Sequence, residues 1–168
     1  MEGIFLELNI KDFNSAKDNA INFDYYIDSL DDLKLSHKVH VVGEAINNNG
    51  KIEISGTYET EVIETCVRCL SEIVIPLKKE FHGTYLDERE YESYLKSLDS
   101  ECEVDKDEFY DELIDGKILL DDLVREYIIL DLPPYPECPS ECQDKSYLDK
   151  YKDDGIDPRW QQLLQIKN

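Results

Sequence analysis

The 168-residue chain carries 18 lysines and arginines against 39 aspartates and glutamates, a net charge of −21, with 41% apolar and 10% aromatic residues. That is globular composition, with apolar content for one substantial core. The charge argues against naked RNA or DNA as the main ligand and favours a basic protein, although solubility alone also accounts for it. The opening Met1-Glu2-Gly3-Ile4 has neither region of a signal peptide, and no run approaches the roughly 20 apolar residues of a membrane span. A cytoplasmic protein with no membrane partner is expected.

In chain order, Ile4, Leu6, Leu8 and Ile10 alternate with Phe5, Glu7 and Asn9 as in a half-buried strand, residues 12–22 are polar and predict a loop, and residues 23–27 predict a second strand. The strongest hairpin signal follows. Val39, Val41 and Ala45 share one face, Asn47-Asn48-Asn49-Gly50 turns the chain, and Ile52, Ile54 and Tyr58 return at period 2. The strand continues to Thr65, residues 66–69 form a tight turn, and Ile73, Ile75 and Leu77 start a return strand toward Phe81. Strands joined by short turns argue against a parallel βαβ arrangement and predict an α+β fold: an antiparallel β meander, as a curled sheet or small open barrel, with one or two helices packed in the C-terminal half.

From residue 86 to 122 the composition shifts to 15 acidic and 4 basic residues, net −11. Tyr91, Tyr94, Leu95 and Leu98 recur at helical spacing and predict a short amphipathic helix, followed by a loop over residues 99–107. This stretch is either a solvated face or an interaction surface. Residues 119–130 predict a helix with Leu120, Leu123, Val124, Tyr127 and Ile128 on one face, Asp121 and Asp122 in its first turn, and Pro133-Pro134 as its stop. An irregular stretch from 136 to 155 precedes a short helix opened by Asp157-Pro158-Arg159. One domain over residues 1–168 is expected: a β-rich platform to 85, an acidic variable segment over 86–117, and a helix, cysteine segment and terminal helix over 118–168.

The five cysteines are 66, 69, 102, 138 and 142, an odd number that suits thiols or metal ligands better than disulfides. Cys66-Val67-Arg68-Cys69 is a C-x2-C turn, and Cys138 and Cys142 make a C-x3-C pair in another irregular segment. Together they offer a four-thiolate site for one structural zinc, with free thiols and a redox pair as the other two readings. Arg68 is a candidate for phosphate contact or for a salt bridge to a nearby carboxylate. His37, His40 and His82 lack metal-ligand spacing, and strand alternation places His37 and His40 on opposite faces. Asp105-Lys106-Asp107 fails as a calcium loop because its glycine position falls on Tyr110. Nucleotide-binding glycine loops and a serine nucleophile elbow are absent, so no catalytic residue is assigned.

Ile54-Ser55-Gly56-Thr57, Cys66-Val67-Arg68-Cys69-Leu70, the leucine-rich stretch 118–134 ending in Pro133-Pro134, the following cysteines, and Asp157-Pro158-Arg159-Trp160 give an ordered pattern over residues 39–164. It resembles the YceD-like family of large ribosomal RNA subunit accumulation proteins. The resemblance implies a role in the synthesis, processing or stability of 23S rRNA without an established enzymatic activity, and a gene neighbourhood with a small large-subunit ribosomal protein. Cys66 and Cys69 match the family's first cysteine pair, and Cys138 and Cys142 the start of its second cluster. Many relatives continue with a G-L-C-x-x-C-G-type segment, whereas this chain runs Gln143-Asp144-Lys145-Ser146-Tyr147.

The expected function is a non-enzymatic ribosome-biogenesis factor that binds a basic large-subunit ribosomal protein or a pre-large-subunit particle. Expected contacts are Asp87, Glu88, Glu90, Glu92, Glu101, Glu103, Asp105, Asp107, Glu108 and Arg68. The rivals are a cysteine-dependent RNA-processing or redox enzyme and an acidic binding module with no ribosomal link.

Overall fold

The computed structural model describes residues 7–13, 15–99 and 109–142. In chain order the elements are β1 (Glu7–Asn9), α1 (Ile10–Phe13), β2 (Ala20–Ile27), β3 (Leu35–Asn48), β4 (Lys51–Thr65), β5 (Glu72–Leu86), α2 (Glu88–Asp99), β6 (Asp111–Glu112), β7 (Lys117–Leu119) and α3 (Leu120–Asp131). Five strands form one sheet in the order β2-β3-β4-β5-β6, and β1 pairs with β7 in a separate antiparallel ribbon. The chain divides into two compact units, one of Met1–Glu64 with Val74–Pro134 and one of Thr65–Ile73 with Tyr135–Asn168.

The hairpin of β3 and β4 follows from its sequence. Asn47 faces Ile52 and Asn48 faces Lys51, leaving Asn49-Gly50 as a two-residue loop with φ of 57° and 102°. Two positive φ values make the primed turn that matches strand twist, and asparagine followed by glycine adopts it at least cost. The Gly50 N–H also donates to the Asn47 side-chain oxygen at 2.9 Å. The inward set Val39, Val41, Ala45, Ile52, Ile54 and Tyr58 is at most 2% exposed, so the alternation read from the sequence is the face that meets the core.

Two glycines narrow the same hairpin. Gly43 and Gly56 are register partners, and both occupy the inward positions of their strands. The Phe23 and Phe81 rings fill the space that side chains there would need, stacked with centroids 6.4 Å apart. A Cβ on Gly56 would stand 2.6 Å from the Val42 carbonyl oxygen and 2.7 Å from the Phe81 ring.

Helix α3 covers this core. Its 3.6-residue stripe buries Leu120, Leu123, Val124 and Ile128 among the sheet's inward residues. Hydroxyls tie it down: Tyr25 donates to Asp121 at 3.0 Å, Tyr58 to Asp131 at 2.5 Å, and Tyr127 to the His82 carbonyl at 2.7 Å. Arg125 donates to the Asp31 carbonyl and to Asp32 at 3.0 and 2.8 Å. The helix stops at Leu132, whose extended φ and ψ of −68° and 137° are the conformation that Pro133 imposes on its predecessor.

The structure corrects three expectations and adds one strand. Ile10 opens the single turn α1 rather than continuing a strand, while Ile4, Phe5 and Leu6 lie outside the described residues. Within the polar 12–22 region, residues 17–19 form a 3-10 turn and β2 already starts at Ala20. The expected α+β fold with its antiparallel meander is present from β2 to β5, and one strand beyond it was not foreseen. After the crossover through α2, β6 adds in parallel, with Tyr85 facing Asp111 and Leu86 facing Glu112. Two acidic residues give no period-2 signal, so this strand was invisible in the sequence. Finally, His37 and His40 share a face. The partner of His37 is Glu61 and that of His40 is Glu59, with a register shift between them; one extra residue in β3 reverses the parity. Their ring N–H groups donate at 2.8 Å to Glu61 and Asp24, respectively.

Candidate metal centre

The turn that carries the first cysteine pair is built from the end of one strand and the start of the next. The Cys66 N–H donates to the Ser71 carbonyl at 2.9 Å, and the Leu70 N–H donates to the Cys66 carbonyl at 2.9 Å. Leu70 sits at φ 61°, a left-handed conformation that a leucine adopts only where the surroundings hold it. The second segment joins through the backbone, with the Val67 N–H donating to the Pro136 carbonyl at 2.9 Å. These contacts bring Cys138 and Cys142 to the C-x2-C turn.

The four sulfurs lie within 4.8 Å of one another. Cys66 Sγ is 3.8 Å from Cys142 Sγ, and Cys69 Sγ is 3.5 Å from Cys138 Sγ. All four are free thiols, Cys66 and Cys142 buried and Cys69 and Cys138 half-buried. A tetrahedral thiolate shell at ~2.3 Å from an ion has sulfur–sulfur edges of about 3.8 Å. The set is therefore close enough to hold a metal ion, with small adjustments of the outer pairs.

The surroundings treat the two pairs differently. Burial pushes the Cys66 thiol up, but N–H groups of Cys69, Arg68 and Cys138 directed at its sulfur outweigh burial and bring it down to about 6. Hydrogen bonds with the Ser71 hydroxyl and N–H lower Cys69. Cys138 is pushed up to about 12 by the sulfurs of Cys69 and Cys66, and burial raises Cys142. Four sulfurs this close do not all ionise unless a cation stands between them.

Sequence reasoning identified all four cysteines through their turn-borne spacing. It missed Ser71 and the Pro136 carbonyl, which position the turn and carry no chemical signature of their own. Cys102 lies outside the described residues.

None of the other expected site residues that are described brings a side chain to the four sulfurs. Arg68 forms an ion pair with Glu137. Asp87 accepts the Glu90 N–H at 2.9 Å and so caps α2; Glu88 and Glu90 occupy the first turn of that helix, where acidic side chains favour its dipole. Glu92 pairs with Lys96 at 3.3 Å. Glu101, Glu103, Asp105, Asp107 and Glu108, with the loop expected around them and the helix expected after Asp157, lie outside the described residues. Among the described residues no helix is long and apolar enough to cross a membrane.

No curated protein and no solved structure matches the chain. A family model described as large ribosomal RNA subunit accumulation protein YceD matches residues 54–167, a span that takes in all four clustered cysteines and α3. The chain belongs to this YceD family, whose name implies a role in the accumulation of large-subunit ribosomal RNA.

Proposed function

We propose that the chain is a non-enzymatic ribosome-biogenesis factor that supports large-subunit rRNA by binding a basic large-subunit ribosomal protein or a pre-large-subunit particle. The family match over residues 54–167 carries this reading. The net charge of −21 supports a basic partner, since complementary fields speed encounter and fix register. The acidic stretch from Asp87 to Asp122 is the expected contact region.

In this reading the four cysteines hold one structural zinc. All-thiolate ligation suits a borderline-soft ion without redox chemistry, and four protein ligands leave no open position for a substrate or an activated water. The ion would fasten the Cys138–Cys142 segment to the C-x2-C turn.

The test is affinity purification of the tagged full chain from its source cells at low and moderate salt. Large-subunit precursor rRNA and one or more basic large-subunit proteins should be enriched over small-subunit components, with recovery falling as salt rises. Absence of ribosomal material at both salts would contradict the proposal.

A further inference from the structure

Beside β5 and β6, the sheet unit contains an open groove of about 460 Å³. Its apolar lining comes from Tyr85, Ile118, Leu119 and Leu123, and Ile114 stands 72% exposed at its edge. Around this lining lie six carboxylates: Glu7, Asp111, Glu112, Asp115, Asp122 and Glu126. The one lysine present, Lys117, is already paired with Glu7 at 2.8 Å.

Some carboxylates elsewhere in the molecule stand beside a cation. On the outer sheet surface and the adjacent loop, Glu59 is paired with Lys78, Asp28 with Lys38 and Asp32 with Arg125. Apart from Glu7, none of the groove carboxylates has an ion pair or a side-chain hydrogen bond among the described residues. Clustered unpaired charge repels itself, and low-dielectric walls concentrate its field in the groove. These carboxylates also do not converge on one point. Among the described residues only the four cysteines bring together enough ligand atoms for a metal ion. Spread negative charge around an apolar strip suits several separate cations attached to one chain.

Tyr85 completes the surface. Burial, then the charges of Asp111, Glu126 and Asp122, keep its phenol protonated well above the ordinary range. Its hydroxyl makes no hydrogen bond among the described residues, and its side chain lines the groove.

We infer that this groove is a docking site for a basic protein segment in which an apolar side chain is flanked by lysines and arginines. The apolar residue lies on the Leu119–Leu123 side, and the cationic groups reach the rim carboxylates. Phosphate-bearing ligands are repelled by the same field. The inference takes its partner class, a basic protein, from the function proposed above, and assigns the contact to this groove rather than to α2.

The experiment uses the full chain and a labelled synthetic decapeptide with lysines and arginines around a central leucine, read by fluorescence anisotropy. Two triple variants remove equal charge: Asp111→Asn/Asp122→Asn/Glu126→Gln in the groove, and Glu88→Gln/Glu90→Gln/Glu92→Gln on α2. The groove variant should bind at least about tenfold more weakly and the α2 variant within about threefold of the parent. As a second readout, Ile114→Ser should weaken binding of the leucine peptide, while a peptide with serine at the central position should bind parent and variant alike. Equal losses in the two triple variants, or no binding by the parent chain at low salt, would overturn the groove assignment. Peptide binding in the groove without ribosomal material in the cell purification would retain the groove and remove the proposed function. The reverse result would remove the groove alone.

Discussion

The sheet unit and the cysteine unit are held together by different means. The sheet unit buries a cluster of 20 apolar residues, from Leu8 and Phe13 through Tyr58 and Phe81 to Ile128. In the described part of the cysteine unit, residues 65–73 and 135–142, the only buried side chains are Cys66 and Cys142. Two short segments with that little apolar burial do not offset the entropy of ordering them, which is ~1–2 kcal/mol per residue for the backbone alone. A metal held by the four sulfurs, as proposed above, would supply a cross-link between the two segments. On this comparison, fold and cysteine chemistry should break independently in this chain.

The largest effect should follow metal removal. With a strong chelator, the Cys66, Val67 and Leu70 amides, bonded to the Ser71, Pro136 and Cys66 carbonyls, should lose their protection against hydrogen exchange, because structural zinc supplies on the order of 10 kcal/mol of local folding free energy. The β3 and β4 amides should keep theirs. Loss of protection in both regions would collapse the distinction between them.

The complementary break is Gly56→Ala. Its Cβ would lie within 2.8 Å of the Val42 carbonyl and the Phe81 ring, so urea unfolding should show a loss of about 2–4 kcal/mol while metal content stays unchanged. A neutral result would show that the sheet tolerates a side chain where the rings now sit.

High pH should act on the sheet unit through its tyrosines. Burial comes first for both Tyr25 and Tyr58, and the Asp121 and Asp131 carboxylates add to it, so their phenols titrate above the ordinary 10.0. An acid whose pKa is raised by folding binds more protons folded than unfolded. Its contribution is complete below the unfolded pKa and is lost as pH rises beyond it. Stability should therefore fall above pH ~10, by at most ~1.4 kcal/mol per pH unit for each tyrosine. Tyr58→Phe should flatten that fall in a denaturant series across pH.

The smallest effect is expected at Arg68. Its partner Glu137 is half-exposed, as Arg68 is, and pairs of this kind contribute ~0–1 kcal/mol. Arg68→Ala should leave metal content intact and change thermal stability little, which would place the order of the cysteine unit in its thiols rather than in its charges.

The legible parts of the molecule are those where a side-chain pattern repeats. Val39 to Tyr58 declared both the hairpin and its inward face, Leu120 to Ile128 declared the helix, and C-x2-C with C-x3-C declared the cluster. The parts that were missed depend on relations that no local period records. A single extra residue in β3 moved His40 to the face of His37, and β6 is two acidic residues that are a strand only because β5 offers an edge. The groove draws Glu7, Tyr85, Asp111 and Glu126 from distant parts of the chain, so its acidic residues read in the sequence merely as members of a charged stretch. Asp87, expected as a partner contact, also caps α2, a role that its position just before Glu88 and Glu90 could have suggested.

The most direct test of the two-region account is native mass spectrometry of the full chain purified without added metal, followed by X-ray absorption at the zinc edge. The account predicts one zinc per chain, with four sulfur ligands at ~2.3 Å. A metal-free mass with the exchange protection of residues 66–70 intact would contradict it, since those segments would then be held by something other than their cysteines.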